Sequence, residues 1–430
     1  MGVLIQTVLS EGFTCPVRDV LWGHIYFTPE LAALADSVPF KRLHRILQLG
    51  PVYYVYPGAT HTRASHSMGV YHLGRRLLQN LVERGMADGS VSQTLISREG
   101  AMSFLCACLL HDLGHFPYTH SLKELSLRSH ESLTGAIILA DPVKTLVGRC
   151  GADPALTAAI IDKELSGGSG NTELLFYRKL LSGCFDPDKL DYLNRDARYC
   201  GVPYGVQDVD FILSRLIPCP ERGIDIDSRL IPNVEAILFA KYLMYRTVYW
   251  HRQVRAATSM IKKALLGGLE SKVIAAEELY SLDDQGLFAL LREKTGSPLA
   301  EAVWKGNFYS VAAEIPFIEA DHACLRDISQ RSRYEEQLAE EFRRAGIPLN
   351  IGGLIIDVPE QISFETGLFV LDEQCGFAES SSAFKTEILD SFVNTLYTIR
   401  IFVNSDFCEK IETMRELSDI LKGKKLWLRS

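Results

Sequence analysis

Residues 101–120 read AMSFLCACLLHDLGHFPYTH, an almost wholly apolar segment followed by histidines and an aspartate. Between residues 101 and 110 the only polar side chain is Ser103. A helix that is apolar on every side is normally buried inside a protein. The segment therefore predicts a core helix that presents His111 and Asp112 at its carboxyl end.

Residues before about position 300 mostly repeat apolar side chains at the three- and four-residue spacing of amphipathic helices. In residues 70–84 one such stripe is followed by Gly85, which predicts a helix that ends there, with His66 near its start. A short hairpin is expected between residues 223–226 and 229–231.

The pattern changes after residue 300. A charged amphipathic helix over residues 329–345 precedes expected strands at residues 354–358 and 368–371. We therefore predict a mainly α protein, with a helical domain over residues 1–300 and a smaller α+β subdomain over residues 301–430.

Composition excludes several partner classes. The net charge of −8 gives no general attraction to nucleic acid, which is not expected as a partner. The apolar run of residues 104–110 is far shorter than the roughly 20 residues that span a bilayer, so no membrane partner is expected. The first residues, MGVLIQTVLSEG, lack the basic region of a secretory signal, which favours a cytoplasmic location.

Histidines cluster in the first third of the chain: eight of the eleven lie between His44 and His130. This clustering indicates a metal site. Imidazole and carboxylate together suit a borderline or hard divalent ion. The candidate ligands lie far apart in sequence, so the fold itself must assemble them, as is typical of a catalytic metal; they are His66, His111, Asp112 and Asp188.

Each motif also has an ordinary structural interpretation. An adjacent His-Asp pair occurs by chance at helix ends, and Asp188, Asp191 and Asp196 could be helix caps or surface ion pairs. His130-Glu131 is consistent with the first turn of a helix, or with a general acid oriented by a carboxylate.

Two further basic features are equally open. Arg63 could be a surface charge or a fork for a phosphate oxygen. Residues 245–255, YRTVYWHRQVR, interleave aromatic and basic side chains, which suits either a core stripe or a wall that stacks a nucleoside and grips phosphates.

Four ordered motifs together resemble the HD-domain deoxynucleoside triphosphate triphosphohydrolases (dNTPases). They are FKRLHRILQLGPVYYVYPGATHTRASHSMGV at residues 40–70, HDLGHFPYTH at 111–120, SHES at 129–132 and DPDKLDYLNRDARYCG at 186–201. The similarity extends from about Val17 to about residue 265. It implies an HD-domain helical core for the amino-terminal domain.

The resemblance also implies roles for particular residues. The metal ligands would be His66, His111, Asp112 and Asp188, so it selects Asp188 over Asp191. The catalytic histidines and their carboxylate would be His120, His130 and Glu131. The sugar and nucleoside would contact Gln48, Leu49, Tyr192, Asp196 and Tyr249. The triphosphate would contact Arg63, His115, Lys189, Arg246, His251 and Arg252.

The chain departs from the family pattern at two places. Lys123, followed by Glu124, stands where an acidic residue is common, so the carboxylate that would orient a histidine has moved or is missing. In the segment that forms the nucleotide-activator site of regulated members, Asp36 is kept, but Lys41 and His44 replace a glutamine and an arginine. Activation by a guanine nucleotide is therefore not expected.

The leading hypothesis is hydrolysis of a dNTP to deoxynucleoside and inorganic triphosphate. It requires one divalent ion, which could be iron, manganese, nickel, zinc or magnesium. The resemblance also implies a homo-oligomer, a dimer or a tetramer. Two alternatives remain: an HD phosphohydrolase that acts on a nucleoside monophosphate, a cyclic nucleotide or another phosphoester, and a nucleotide-binding sensor that has lost catalysis.

Overall fold

A computed structural model describes residues 2–88, 96–166, 172–344, 346–349 and 352–407, with residues 2–4 and 86–88 described by their backbone alone. The structure confirms the predicted fold class, a mainly α protein with a small carboxyl-terminal α+β part. Within the described ranges, no helix is both long enough and apolar enough to traverse a lipid bilayer.

Helices form most of the described structure up to residue 304. Their bounds are α1 (Gly2–Ser10), α2 (Pro29–Ala35), α3 (Val38–Arg42), α4 (Arg63–Asp88), α5 (Arg98–Leu110), α6 (His130–Ile138), α7 (Val143–Arg149), α8 (Pro154–Ile161), α9 (Thr172–Leu181), α10 (Pro187–Cys200), α11 (Val209–Arg215), α12 (Ile231–Met244), α13 (Arg252–Glu270), α14 (Ala276–Leu279), α15 (Asp284–Thr295) and α16 (Pro298–Trp304). Short 3₁₀ helices at Gly50–Tyr54 and Thr119–Leu125 lie next to the candidate site.

The buried apolar helix is α5, and it organises the core. Every residue from Gly100 to Leu110 is buried, and α4 packs against both α5 and α10. The stripe predicted in residues 70–84 is buried on α4, whereas the helix continues through Gly85. Since α4 begins at Arg63, the first turn of this long helix brings His66 to the end of α5.

Two small hairpins lie in the helical part. β1 (Cys15–Asp19) pairs with β2 (Gly23–Phe27), and β3 (Ile217–Cys219) pairs with β4 (Gly223–Asp225). Residues 229–231 were expected to pair with residues 223–226, and this prediction was wrong because residues 228–230 form a 3₁₀ helix. β4 pairs with the preceding strand, β3, instead.

The carboxyl-terminal part combines strands and helices. It contains β5 (Ser310–Pro316), α17 (Glu319–His322), α18 (Ile328–Arg344), β6 (Leu354–Asp357), β7 (Phe369–Val370), β8 (Cys375–Gly376), α19 (Thr386–Leu396) and β9 (Thr398–Val403). β9 is the central strand of an antiparallel sheet between β5 and β6.

The two parts share buried side chains. Leu368, Val370, Phe377 and Leu389 join the main core of the helical part, and Ile355 and Phe402 pack into a second core with α13 and α15. The α+β part is thus packed onto the helical part. The domain division at residue 300 stays a prediction.

Candidate functional site

Four side chains that are distant in sequence meet where α4, α5 and α10 converge. His66 Nε2 lies 2.9 Å from Asp188 Oδ1. His111 Nε2 lies 3.4 Å from Asp112 Oδ1 and 3.8 Å from Asp188 Oδ1. One ligand atom from each of His66, His111 and Asp112 falls within 4.8 Å of the others. The structure therefore brings together all four residues expected to bind a metal.

The orientation of the two imidazoles fits a divalent cation. His111 Nδ1 lies 3.0 Å from the carbonyl oxygen of Cys108, so this nitrogen carries the proton. Its Nε2 is buried without a hydrogen-bond partner. His66 Nδ1 contacts Asp191 Oδ2 at 2.8 Å, which leaves Nε2 facing Asp188. Zinc and similar ions bind neutral imidazole through one nitrogen while the other donates to an oxygen.

The charges on Asp112 and Asp188 favour a cation between the four candidate metal ligands. Burial alone would raise the pKa of the Asp112 carboxyl, but His115, His111 and Arg63 outweigh it and hold the pKa well below its usual range. Burial also opposes ionisation of Asp188, yet the hydrogen bond from His66 lowers its pKa to about 2. Both carboxylates are therefore ionised at neutral pH.

Three more histidines form a second cluster beside the first. The ring centroids of His115 and His130 are 3.9 Å apart and stacked, and those of His115 and His120 are 4.7 Å apart. His115 Nε2 lies 3.2 Å from Asp112 Oδ1, which joins the two clusters. Burial and the nearby Arg63 lower the pKa of His115 well below its usual value, so this ring is neutral.

His130 and Glu131 are in contact. His130 Nδ1 lies 3.2 Å from Glu131 Oε2 at the start of α6, where Ser129 caps the helix by accepting from the Ser132 amide. Burial lowers the pKa of His130, and Glu131 partly restores it. The carboxylate can thus stabilise a protonated His130.

Glycine is required in the turn that follows α5. A Cβ at Gly114 would collide with the backbone oxygen of His130 and the amide of Thr134. Thr134 Oγ1 accepts from the Gly114 amide at 2.8 Å. The turn therefore lies directly against α6, which places His115 beside His130.

Comparisons with known proteins agree with this architecture. The HD associated region family matches residues 212–423. An uncharacterised protein of Methanocaldococcus jannaschii is 30% identical over 296 residues, covering 68% of this chain and 58% of that protein. The deoxynucleoside triphosphate triphosphohydrolase SAMHD1 of Homo sapiens is 25% identical over 280 residues, covering 58% of this chain and 44% of that protein.

A solved structure shows the same fold. The crystal structure of the phosphohydrolase BT4208 from Bacteroides thetaiotaomicron matches with a TM-score of 0.68 at 22% identity, over 91% of this chain and 99% of that chain. The chain is thus similar to HD-domain proteins and shares the fold of this phosphohydrolase. It spans about half the length of the curated relatives it matches.

A cavity of about 400 Å³ opens beside the candidate metal ligands. His111, Asp188, His130 and Glu131 line it. Residues that sequence reasoning did not single out form the rest of its wall: Ser129, Ile160, Ile161, Asp162, Lys163, Glu164, Arg178, Leu181 and Ser182. Through this cavity a small molecule can reach both the candidate metal ligands and the His130-Glu131 pair.

The expected phosphate contacts are dispersed. Arg63 donates from Nη1 to Asp112 Oδ2 at 2.7 Å, so its guanidinium contacts one of the candidate metal ligands. Lys189 Nζ is paired with Asp186 Oδ2 at 2.7 Å. Arg246 is exposed and donates to the Tyr242 hydroxyl. His251 is half-buried, and Arg252 is exposed in a different cavity, lined also by Asn307 and Ser405.

Two of the expected sugar and nucleoside contacts, Asp196 and Tyr249, touch each other. Asp196 accepts from the Tyr249 hydroxyl at 2.6 Å and contacts His61 Nε2 at 2.8 Å. Tyr192 and Leu49 are partly buried against the main core. The side-chain oxygen of Gln48 is buried without a hydrogen-bond partner.

Sequence reasoning missed several supporting residues. Arg42 donates to the carbonyl oxygens of Leu113 and His115 at 2.7 and 2.6 Å, and so fixes the HDLGH turn. No local sequence signal marks Arg42, since its partners are backbone atoms 71 and 73 residues away. Glu124, beside the unusual Lys123, contacts Lys262 and Arg331. Its carboxylate is engaged with α13 and α18.

Proposed function

We propose that this HD-domain protein hydrolyses deoxynucleoside triphosphates to deoxynucleoside and inorganic triphosphate with one divalent metal ion. The observation behind it is the convergence of His66, His111, Asp112 and Asp188 beside a second histidine cluster. The printed name of the human relative describes the same reaction for that protein.

Ion binding is assigned to these four side chains. A divalent ion in this position would withdraw charge from a phosphoryl oxygen and make a water molecule more acidic. The ionised Asp112 and Asp188 would supply two negative charges, and His66 and His111 would each offer Nε2 to the ion. Arg63 donates a hydrogen bond of 2.7 Å to Asp112, which orients that carboxylate. Its positive charge would also stabilise the phosphates.

The leaving oxygen requires a proton. Water attacks the α-phosphorus, the bond from phosphorus to the 5′-oxygen breaks, and that oxygen takes a proton to give the deoxynucleoside. His130, polarised by Glu131 at 3.2 Å, is the proposed donor, with His120 and His115 next to it.

The remaining roles follow the sequence-based assignment. The proposed sugar and nucleoside contacts are Gln48, Leu49, Tyr192, Asp196 and Tyr249. The proposed further phosphate contacts are Lys189, Arg246, His251 and Arg252. A homodimer or homotetramer remains part of the proposal.

One observation favours a second candidate, hydrolysis of a smaller phosphoester such as a nucleoside monophosphate. The cavity beside the candidate metal ligands is lined by Glu131, Asp162 and Glu164 as well as Lys163 and Arg178, and not by Arg246, His251 or Arg252. Such a mixed wall is better suited to one phosphate than to three.

Product analysis distinguishes the two. Protein stripped of metal is reloaded separately with iron, manganese, nickel, zinc or magnesium, incubated with each dNTP and NTP, and the products are separated by chromatography. Inorganic triphosphate with deoxynucleoside supports the proposal. Orthophosphate or pyrophosphate from the same substrates, or turnover of monophosphates alone, contradicts it.

A further inference from the structure

We infer that Asp191 is a positioning residue for the metal centre and that the β1–β2 hairpin, through Trp22 and Asp19, forms part of that centre's support. The inference rests on the metal site of the proposed function and is independent of the substrate.

Asp191 lies behind His66 and is completely buried. Its Oδ2 contacts His66 Nδ1 at 2.8 Å, on the opposite side of the ring from the nitrogen that faces Asp188. A carboxylate in this position holds a proton on Nδ1 of His66, so a metal ion would bind Nε2, in place of the proton that this nitrogen shares with Asp188. Asp191 thus sets both the tautomer and the angle of the ring.

Arg195 and Trp22 fix the carboxylate of Asp191. Arg195 donates to both oxygens, from Nε at 2.8 Å and from Nη2 at 2.9 Å. Trp22 donates from its indole Nε1 to Asp191 Oδ1 at 2.5 Å. Gly69 allows this close approach, since a Cβ there would overlap both Asp191 and Arg195.

The hairpin is bound to the same arrangement through a second carboxylate. Asp19 Oδ2 accepts from Arg195 Nη1 at 2.9 Å, and Asp19 Oδ1 accepts from the amides of Leu21 and Trp22 at 2.8 and 2.9 Å. The turn that presents the indole is therefore held by the same guanidinium that holds Asp191. A continuous set of hydrogen bonds joins the hairpin turn to the metal-facing ring of His66.

The test measures metal binding without substrate. Four proteins are stripped of metal: the wild type, Asp191→Asn, Trp22→Phe and, as a matched control, Trp304→Phe at an exposed tryptophan on α16. Each is then titrated with Mn²⁺, and free Mn²⁺ is measured by electron paramagnetic resonance. Loss of a residue that orients a metal ligand typically weakens metal affinity about 10–100-fold. We expect an increase in Kd of this size for Asp191→Asn. Removal of the indole donor should raise Kd about two- to tenfold, and Trp304→Phe should match the wild type.

Thermal unfolding of the metal-free variants separates positioning from folding. If Trp22 served folding alone, Trp22→Phe would melt at a lower temperature and still bind Mn²⁺ with the wild-type Kd, which would overturn the inference. Wild-type affinity in Asp191→Asn would overturn it as well. Tight Mn²⁺ binding by the wild type without dNTP hydrolysis would reject the proposed function and leave this inference standing.

Discussion

Arg255 and Asp357 form a buried bidentate ion pair that joins α13 to the end of β6. Arg255 Nε and Nη2 donate to the two carboxylate oxygens at 2.8 and 2.6 Å, and both side chains are at most 3% exposed. Burial alone would raise the pKa of Asp357, but Arg255 outweighs it and lowers the pKa to about 2.

This pair predicts an acid-dependent part of stability. A carboxyl whose pKa is depressed on folding stabilises the protein above its unfolded pKa, and that contribution disappears as the pH falls through the folded pKa. Asp357→Asn should lower the free energy of unfolding at pH 7 by about 3 kcal/mol. The difference from wild type should shrink between about pH 4 and pH 2, as measured by urea unfolding. Asp210→Asn, at an exposed carboxylate, is the control; a difference that stays constant with pH would contradict this explanation.

Asp188→Ala should remove metal and activity together. The variant loses the carboxylate that contacts both His66 and His111, at 2.9 and 3.8 Å. Metal content by mass spectrometry should fall to background, and turnover should fall with it, whereas Asp210→Ala should retain both. Activity in an Asp188→Ala sample of verified metal content would refute a ligand role for Asp188.

Glu131→Gln should shift the pH dependence of kcat. Burial lowers the pKa of His130, and Glu131 raises it, so loss of the carboxylate lowers the pKa further. A general acid works only while protonated, and activity falls as the pH rises through its pKa. The alkaline limb of the kcat profile should therefore move to lower pH. His130→Ala should lose about 10²–10⁴-fold in kcat with unchanged metal content. An alkaline limb that stays in place in Glu131→Gln would exclude this pair as the acid.

Glu124→Gln tests how the α+β part supports the catalytic histidines. Glu124 lies in the 3₁₀ helix Thr119–Leu125 and contacts Lys262 on α13 and Arg331 on α18. Loss of its charge leaves two largely buried cations without this partner, which should lower the melting temperature. We expect kcat to fall more than KM rises, because His120 lies in the same short helix. Glu270→Gln, at the exposed end of α13, should leave both quantities near wild type.

Local patterns predicted the helices well and their ends less well. The apolar stripe in residues 70–84 identified α4, yet Gly85 did not end it, and the helix begins at Arg63. A glycine inside a helix costs only about 1 kcal/mol, and packing of the surrounding helix against α5 easily exceeds that. The prediction that residues 229–231 pair with β4 was wrong for a similar reason, because strand pairing depends on tertiary contacts that short segments do not encode.

The sequence by itself determined which kinds of side chain are available: clustered imidazoles, an apolar helix that ends in His111-Asp112, and the acidic run in α10. Residue spacing alone could not distinguish Asp188 from Asp191, since residues three apart share one face of a helix. The tertiary structure separated them. Packing of α10 against α4 places Asp188 at Nε2 of His66 and Asp191 at Nδ1, with Trp22 and Arg195 behind it. Only the relative positions of elements far apart in the chain decide which carboxylate faces the candidate metal site and which one faces the hairpin.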